Sequence, residues 1–394
     1  MIQETICIKE LGALKDSGTI EIKPLTIFIG NSASGKSTMM KALVLMRYIF
    51  KRLSIRNYLR NSHIEDRMFN IRFKDYLRDN MNELVTPQTY ICYVVTINGN
   101  AYTVIYSNGK LSYDITMPNE DLCFFKEVWV AESRSAIAAL SSQGSLAKNV
   151  NLGFFFNETF AEFDAATDAV KHFDLNYIGL DMNVIRGGNH QKKFMLKPKD
   201  GSYLPFELRH ASSGIQTTAP LIAMVNYYAK AFDFKLAQKR SIIDFLFEKD
   251  LTTQYRPEME LADMPKHVHI HIEEPELSLD PTSQIQLLNE IVRLAFYDKK
   301  DDRSIGIVLA THSPYLANSL NLLMKAHDCH THIDGAHIAY EEMSVYQIAS
   351  GMMQDIKMRN IHYVNTDRLS EDINFIYDKY QELKRMQDEK SLGK

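Results

Sequence analysis

The sequence lacks the features that mark secreted and membrane-spanning proteins. Its four cysteines are scattered and form no C-x-x-C pair, which favours a reducing, cytoplasmic environment. The N-terminal segment MIQETICIKE does not combine a basic start with an apolar core, so we expect no signal peptide. No apolar run approaches the roughly 20 residues that span a bilayer. We therefore expect any membrane attachment to depend on another chain.

The chain also lacks an excess of positive charge. It has 45 Lys and Arg against 49 Asp and Glu, a formal net charge of −4, so contact with DNA or RNA would have to come from local patches. Internal repeats, low-complexity segments and flexible linkers are absent, and there is no long heptad array of the kind that builds a coiled-coil rod. With 45% hydrophobic and 24% charged residues, the composition is that of a soluble globular protein.

The hydrophobic patterning predicts an α/β fold with an antiparallel portion in its first half. Residues 24–30 (PLTIFIG) form a short continuous apolar run, typical of a strand buried on both faces. Residues 89–117 have the alternation and Asn-Gly turns of an antiparallel meander. Further strands are predicted over 126–132, 177–185, 192–198, 203–208, 268–275 and 304–313, and helices over 37–50, 155–175, 221–229, 283–297 and 372–386.

One motif points directly to phosphate chemistry. The segment GNSASGKS fits G-x-x-x-x-G-K-[ST] and lies between a predicted buried strand and a predicted helix. Its glycines let backbone N–H groups curl around phosphate oxygens, and the helix N-terminus adds a favourable dipole. Lys36 would reach the β- and γ-phosphates, and the Ser37 hydroxyl would bind Mg²⁺. The predicted nucleotide-binding residues are Gly30, Asn31, Ser32, Ala33, Ser34, Gly35, Lys36, Ser37 and Thr38.

Two later predicted strands end in loops that carry reactive side chains. The segment HVHIHIEEPELSLDP ends its strand in Glu273 and Glu274. We expect Glu273 to bind Mg²⁺ together with Ser37, directly or through a water, and Glu274 to polarise the attacking water. In IVLATHSPY, His312 is expected beside the γ-phosphate, where it would orient that water. Three histidines alternate along the strand before Glu273 and so share one face, where we expect packing or hydrogen bonding.

In this chain order, the segments GNSASGKS, SSGIQ, IEEPELSLDP and ATHSP resemble the motifs of the ABC-type ATPase head. The resemblance is to the branch that includes RecF, SMC proteins and the overcoming-lysogenization-defect nucleases, and VAESRS (130–135) is similar to its A-E-R element. It implies one head over 1–394 with a mixed or parallel central sheet flanked by helices. Within it we expect a basic helical insertion over 51–88, a β-rich and helical middle over 89–205, and a motif-bearing lobe over 206–394.

In the family that these motifs resemble, two copies close around ATP. The resemblance therefore implies a homodimer or higher homo-oligomer, in which signature residues reach the γ-phosphate held by the partner and Asp280 contacts the dimer partner. Here Ala211 and Ser213 replace the family's Leu and first Gly, and no glutamine loop can be identified, so we expect slow or partner-dependent hydrolysis. Arg134 is a weaker candidate for sensing phosphate. The signature residues are Ser212, Ser213, Gly214 and Gln216.

The form of the acidic and histidine loops resembles the overcoming-lysogenization-defect side of the family, but residues 314–394 are too few for the Toprim nuclease domain of those enzymes. This combination implies an anti-phage ATPase with a separate, nuclease-like effector. The alternatives are a RecF-like DNA repair ATPase and an ATP-binding scaffold with little hydrolysis. A cluster of basic residues would contact DNA or RNA phosphates or form a solvated helical face: Arg47, Lys51, Arg52, Arg56, Arg60, Arg67, Arg72, Lys74 and Arg78.

Overall fold

The computed structural model describes residues 2–64, 71–113, 115–141, 152–187, 191–248, 264–366, 375 and 377–385. The helices of these residues are α1 (Lys36–Asn61), α2 (Met81–Leu84), α3 (Ala136–Leu140), α4 (Phe154–Ala169), α5 (Ser213–Lys230), α6 (Phe234–Glu248), α7 (Pro281–Val292) and α8 (Pro314–Asp328). The strands are β1 (Ile2–Leu11), β2 (Leu14–Ile22), β3 (Leu25–Ile29), β4 (Val85–Ile97), β5 (Asn100–Ser107), β6 (Lys110–Tyr113), β7 (Phe124–Val130), β8 (His172–Leu175), β9 (Leu180–Arg186), β10 (Lys192–Pro198), β11 (Phe206–Glu207), β12 (Lys266–Glu273), β13 (Ser304–Thr311), β14 (Met343–Ala349), β15 (Met352–Asp355), β16 (Lys357–Met358) and β17 (Tyr363–Val364).

An eleven-stranded sheet organises the described part of the chain, in the order β6-β5-β4-β1-β2-β15-β14-β3-β13-β12-β7. The five strands from β14 to β7 are parallel to one another. Because parallel strands are covered on both faces, β3 is buried along its whole length, Leu25–Ile29, and is apolar except at Thr26, as its sequence predicts. The predicted α/β class, with a mixed sheet, flanking helices and an antiparallel portion, is confirmed.

Two apolar clusters cover the opposite faces of this parallel region. Helix α1 packs on one face, where Phe28 of β3 belongs to the same apolar cluster as Met39 and Leu43 of the helix. Helices α5, α7 and α8 pack on the other face, where Ile27 and Ile29 contribute. Side chains of a buried strand alternate between faces, so one short strand fixes the position of helices on both sides.

The antiparallel half of the sheet forms as the meander pattern predicts. Strands β4, β5 and β6 pair antiparallel, and β4 pairs with β1. Positive φ angles at Asn98 and Gly99 (52° and 89°) and at Asn108 and Gly109 (51° and 74°) are those that two-residue hairpin turns require. A smaller sheet of β11, β10, β9 and β8 packs against the second cluster.

Several element boundaries differ from the sequence-based expectation. The helix expected over 155–175 ends at Ala169, because Phe173 and Leu175 are buried and β8 pairs with β9. Helix α5 begins at Ser213, eight residues before the apolar run. The charged segment after α5 contains α6, whose Phe245 and Leu246 are buried. Residues 375 and 377–385 of the predicted tail helix are helical. No helix in the described ranges has both the length and the apolarity to cross a bilayer.

The basic segment after residue 47 is not the separate arm that its composition suggests. Helix α1 continues without a break to Asn61 and buries Leu53 and Leu59 in the core. Arg47 is 1% exposed and binds Glu4 with a 2.7 Å contact, so it is not available to nucleic-acid phosphates. Arg52 is also buried and pairs with an acidic residue of α6. Exposed members of the cluster are Arg60, Arg72, Lys74 and Arg78, while Arg67 lies outside the described residues.

Candidate functional site

The predicted motifs meet at the carboxyl ends of four adjacent parallel strands. Strand β3 leads into Gly30, β12 into Glu274, β13 into His312 and β7 into Ala131. Loops at this edge of a parallel sheet are the usual place for ligands. Between them lies a cavity of about 350 Å³, lined by Ala13, Ser32, Ala33, Ser34, Gly35, Lys36, Ser37, Thr38, Glu132, Glu273, Glu274, Ala310 and His312.

The phosphate loop has a backbone that only small residues permit at two positions. A side chain at Gly30 would place its Cβ 2.4 Å from the carbonyl oxygen of Ile348 in β14. Gly35 has a φ of 109°, and a Cβ there would lie 2.9 Å from Leu14. The Ser34 hydroxyl is buried and has no hydrogen-bond partner among the described residues. A buried donor without an acceptor is unfavourable, so the loop fits an anion that would accept this bond.

Lys36 is held across the loop by its own backbone. Its Nζ donates to the carbonyl oxygens of Gly30 at 2.8 Å and Asn31 at 2.9 Å, and lies 3.3 Å from Nδ1 of His312. Burial lowers the pKa of Lys36, and the charges of Glu274 and a nearby glutamate oppose that shift. The ammonium group therefore lies in the cavity with neutral acceptors around it, where an anionic ligand would be a stronger partner.

His312 connects the lysine to the second carboxylate. Its Nε2 lies 3.0 Å from Oε1 of Glu274. Because the ammonium group of Lys36 can only donate, Nδ1 of His312 is the acceptor. Nε2 then carries the ring proton and donates a hydrogen bond to Glu274. One histidine tautomer thus satisfies contacts that come from three different loops.

Glu273 and Ser37 form the pair expected to hold a divalent cation. Glu273 is only 8% exposed. Burial raises its pKa, while hydrogen bonds from the Ser37 hydroxyl and from the backbone amide of Glu132 lower it. A carboxylate and a hydroxyl are the oxygen ligands that Mg²⁺ prefers, and a cation beside them would stabilise the buried charge. These residues therefore fit Mg²⁺.

Glu276 was not singled out from the sequence and has a clear place in the site. Its Oε1 accepts hydrogen bonds from Thr311 Oγ1 at 2.8 Å and from the backbone N–H of His312 at 2.7 Å. It therefore joins the loop after β12 to the end of β13 and fixes the start of the histidine loop. The signal for it was the third glutamate in EEPE.

Arg134 does not occupy the phosphate-sensing position for which it was a candidate. It is fully buried, and burial lowers its pKa to about 10. Its Nη atoms donate to the carbonyl oxygens of Glu273 at 2.7 Å, Glu274 at 2.6 Å and Ala131 at 3.1 Å, and its Nε donates to Thr217 at 3.1 Å. All three nitrogens are used by backbone, so Arg134 ties the acidic loop to α5 instead of reaching a ligand.

The signature residues lie at the start of α5 and do not line the cavity. Ser212 is the N-cap residue, but its side chain makes no capping hydrogen bond. Ser212 and Ser213 are both exposed. Gln216 turns inward, and its amide nitrogen donates to the carbonyl oxygens of Arg209 at 3.1 Å and Ala211 at 2.8 Å. Gln216 therefore shapes the loop, while the two serines face outward.

Gly214 has a packing role within its own chain. A Cβ at this position would lie 2.8 Å from the carbonyl oxygen of Ser278 and 2.9 Å from Leu279. Thr217, three residues further along α5, donates to the carbonyl oxygen of Leu277 at 3.1 Å. The first turn of α5 is thus pressed against the loop that follows Glu274, and only glycine allows this distance.

Asp280 is exposed and caps α7. Its Oδ1 accepts from the backbone N–H groups of Thr282 at 3.0 Å and Ser283 at 3.1 Å. Hydrogen bonds from Ser283 lower the pKa of this carboxyl group. Asp280 therefore ends the acidic loop and begins a helix, and its contact with a dimer partner stays a prediction.

Scans of protein-family models and of curated proteins give no match to the chain. Similar solved structures include an SMC head domain from Thermotoga maritima, 11% identical, with a TM-score of 0.36 and covering 91% of this chain and 100% of that one. Another is an SMC head bound to the C-winged helix domain of ScpA, at 10% identity, 90% and 97% coverage and a TM-score of 0.34. A third is the recombination mediator RecF, at 12% identity, 90% and 98% coverage and a TM-score of 0.35.

Proposed function

We propose that this chain is an ABC-type ATPase head that binds ATP with Mg²⁺ and hydrolyses it between two copies of itself. The observation that carries the proposal is the chain of contacts Lys36–His312–Glu274 beside the Ser37–Glu273 pair. Phosphate binding, metal binding and base catalysis each need one of these groups. All of them meet in one cavity of nucleotide-binding size.

Phosphate binding falls to the loop and its lysine. Lys36 exchanges the carbonyl oxygens of Gly30 and Asn31 for β- and γ-phosphate oxygens, which are stronger acceptors because they are charged. The buried Ser34 hydroxyl gains the acceptor that it lacks. The amides of the loop and the N-terminus of α1 add further donors, with Ser32, Ala33, Gly35 and Thr38 completing the set.

Ser37 and Glu273 would hold the magnesium ion, which when bound neutralises charge on the transferred phosphoryl group. Glu273 comes from the last position of β12 and Ser37 from the first turn of α1. Both positions are fixed by regular elements, so little ordering is needed when the ligands assemble.

Glu274 is the proposed general base. It accepts a proton from the water that attacks the γ-phosphorus, while the bond from phosphorus to the β-phosphate oxygen breaks and ADP leaves. Its backbone is held in the left-handed region with a φ of 42° by an N–H bond of 2.8 Å to Ala310 and by Arg134. His312 donates through Nε2 and orients the carboxylate or the water.

The signature residues are proposed to act on the ATP of a second copy. Ser212 and Ser213 are exposed, and Ser212 makes no capping bond within its own chain. With Gly214 and Gln216 they would present the N-terminus of α5 to the partner's γ-phosphate, with Asp280 at the same interface. ATP binding would then favour the dimer, since ADP lacks the phosphate that completes the contact.

For the biological role we propose a cytoplasmic regulatory ATPase of an anti-phage system that acts through a separate nuclease-like effector. A RecF-like DNA repair ATPase is the alternative, and the exposed Arg60, Arg72, Lys74 and Arg78 favour it. An ATP-binding scaffold is the second alternative, favoured by Ala211 and Ser213 in the signature. Hydrolysis that DNA stimulates with a steep salt dependence would support the repair role.

The test of the enzyme is the variant Glu274→Gln. It keeps the hydrogen bond to His312 but cannot take a proton, so turnover should fall by about 10²-fold or more. ATP should still bind and should trap a dimer on size-exclusion chromatography. Lys36→Ala is the control that loses both binding and dimer. Wild-type protein without ATP turnover, or Glu274→Gln with unchanged turnover, would refute the proposed enzyme.

A further inference from the structure

A second cavity lies along α1, beyond the first turn that follows the phosphate loop. Its walls are one face of α1, the edge strand β7, the first turn of α4 and residues 76–81. Its volume is about 340 Å³, close to the 350 Å³ of the phosphate-loop cavity. Among the described residues the two cavities share no lining residue. A molecule of nucleotide size therefore has room here without touching the first site.

The second cavity carries an excess of positive charge. Lys41, Lys51, Arg78 and Lys126 line it, against two carboxylates. One of these, Glu127, has both oxygens occupied by buried histidine nitrogens at 2.7 and 2.8 Å. Lys126 is paired with Glu162, but Lys41, Lys51 and Arg78 have no ion pair within the described residues, and an anion is the ligand that this lining would bind.

Lys51 is one of the cations in this lining that face an aromatic ring. Its Nζ lies 4.6 Å from the centre of the Phe124 ring, and no carboxylate of the described residues lies within ion-pair distance of it. Burial and then the charge of Lys126 lower the pKa of Lys51 to about 7. An anion beside Lys51 would favour the charged form of its amine.

Aromatic side chains form the rest of the wall. Tyr48 and Tyr76 lie with ring centres 5.4 Å apart, and Trp129 packs 4.5 Å from Phe155. The indole nitrogen of Trp129 is buried without a hydrogen-bond partner among the described residues. Flat apolar faces beside cations are suited to a planar ring that carries a charged group.

We propose that this cavity is a second ligand site for a phosphorylated small molecule with a planar ring, of the nucleoside monophosphate class. The lysines and Arg78 would bind the phosphate, and the tyrosine and tryptophan rings would contact the base. The inference does not depend on ATP hydrolysis at the first site.

The test uses AMP and the intrinsic fluorescence of Trp129, the single tryptophan of the chain. The Lys36→Ala variant serves as the starting protein, so that the phosphate loop does not contribute. AMP should produce a saturable fluorescence change and a calorimetric isotherm with one site per chain. Inorganic phosphate should bind more weakly, because it offers no ring to the aromatic wall.

Added to Lys36→Ala, the change Lys51→Met should weaken AMP binding by about tenfold or more, as expected for loss of a charged partner, and Lys110→Met is the matched control. Lys110 is exposed on β6, at the opposite edge of the sheet. If Lys51→Met does not fold, Arg78→Gln at an exposed position gives the same comparison. Absence of binding by AMP, GMP and UMP at about 1 mM, the weak end of useful affinity, would overturn the proposal. So would equal affinity of Lys51→Met or of inorganic phosphate.

Discussion

The Nε2 atom of His312 lies 3.0 Å from Oε1 of Glu274, while Nδ1 of the same ring lies 3.3 Å from Nζ of Lys36. A single imidazole thus contacts the lysine proposed to bind phosphate and the proposed base at the same time. If Lys36 binds phosphate as proposed, it would leave Nδ1, and the ring would then keep only its contact with Glu274. We therefore expect ligand entry and the orientation of the proposed base to be coupled through this ring.

His312→Asn should lower turnover by about 10²-fold, because the shorter amide cannot contact both partners and the base loses its orientation. ATP affinity should change by less than about threefold, a difference under 1 kcal/mol. Phosphate release and fluorescent ATP binding would measure the two effects. A parallel loss of both would mean that His312 holds the loop together and does not act in the chemical step.

Glu276 should act as a positioning residue for the histidine loop. Glu276→Ala removes the acceptor for Thr311 and for the backbone of His312, and we expect about a tenfold lower turnover. Glu276→Gln keeps one carbonyl oxygen as acceptor and should restore most of the activity. If both variants lose activity equally, the charge matters and the positioning role is wrong.

Arg134→Lys should destabilise the protein by about 3 kcal/mol, since several buried carbonyl groups lose their donor. Urea unfolding would measure this change. Turnover should also fall, because Glu274 loses the bond to its backbone carbonyl. The matched control is Arg359→Lys, an exposed position where we expect a change below about 0.5 kcal/mol.

Ser212→Arg should leave ATP binding by the monomer intact and abolish the ATP-dependent dimer. Ser212 is exposed, so we expect the substitution to leave the fold intact. Gly214→Asp is a poor substitute, because its Cβ would approach Ser278 of the same chain. The decisive measurement mixes Ser212→Arg with Lys36→Ala. Each lacks turnover alone, and the mixture should regain it at one composite site; no recovery would argue against action between chains.

Stability should fall as the pH drops from 6.5 to 4. Burial lowers the pKa of both His267 and His271 to about 4, so the unfolded chain binds more protons across this interval. Each histidine changes the free energy of unfolding by up to about 1.4 kcal/mol per pH unit. This stabilisation is fully present above pH 6.5 and is lost as the pH falls to about 4. Thermal unfolding at several pH values gives the slope of the unfolding free energy against pH. His267→Asn should remove about half of the contribution that the two histidines make to this slope, whereas His172→Asn, at an exposed position, should leave it unchanged.

The phosphate loop, the two adjacent carboxylates and His312 could be placed from sequence because each follows a short buried strand. Parallel strands bring the loops at their carboxyl ends together, and the order of the motifs along the chain indicated which role each one has. The roles of Arg134 and Glu276 could not be predicted in this way, since their partners include backbone groups of other loops. The buried Arg47 was misjudged for a related reason. Its partner Glu4 lies 43 residues earlier, and nothing in a local charge pattern reveals that an arginine faces inward.

The contact between Gly30 and β14 has a consequence for synthesis of the chain. Strand β14 completes one side of β3, and the carbonyl oxygen of Ile348 lies against Gly30. The phosphate loop is made more than 300 residues before the strand that it contacts, so we expect it to reach its final shape only after that strand has emerged from the ribosome. A nascent chain that ends before Met343 should not yet retain nucleotide, so nucleotide binding would report that β14 has joined the sheet.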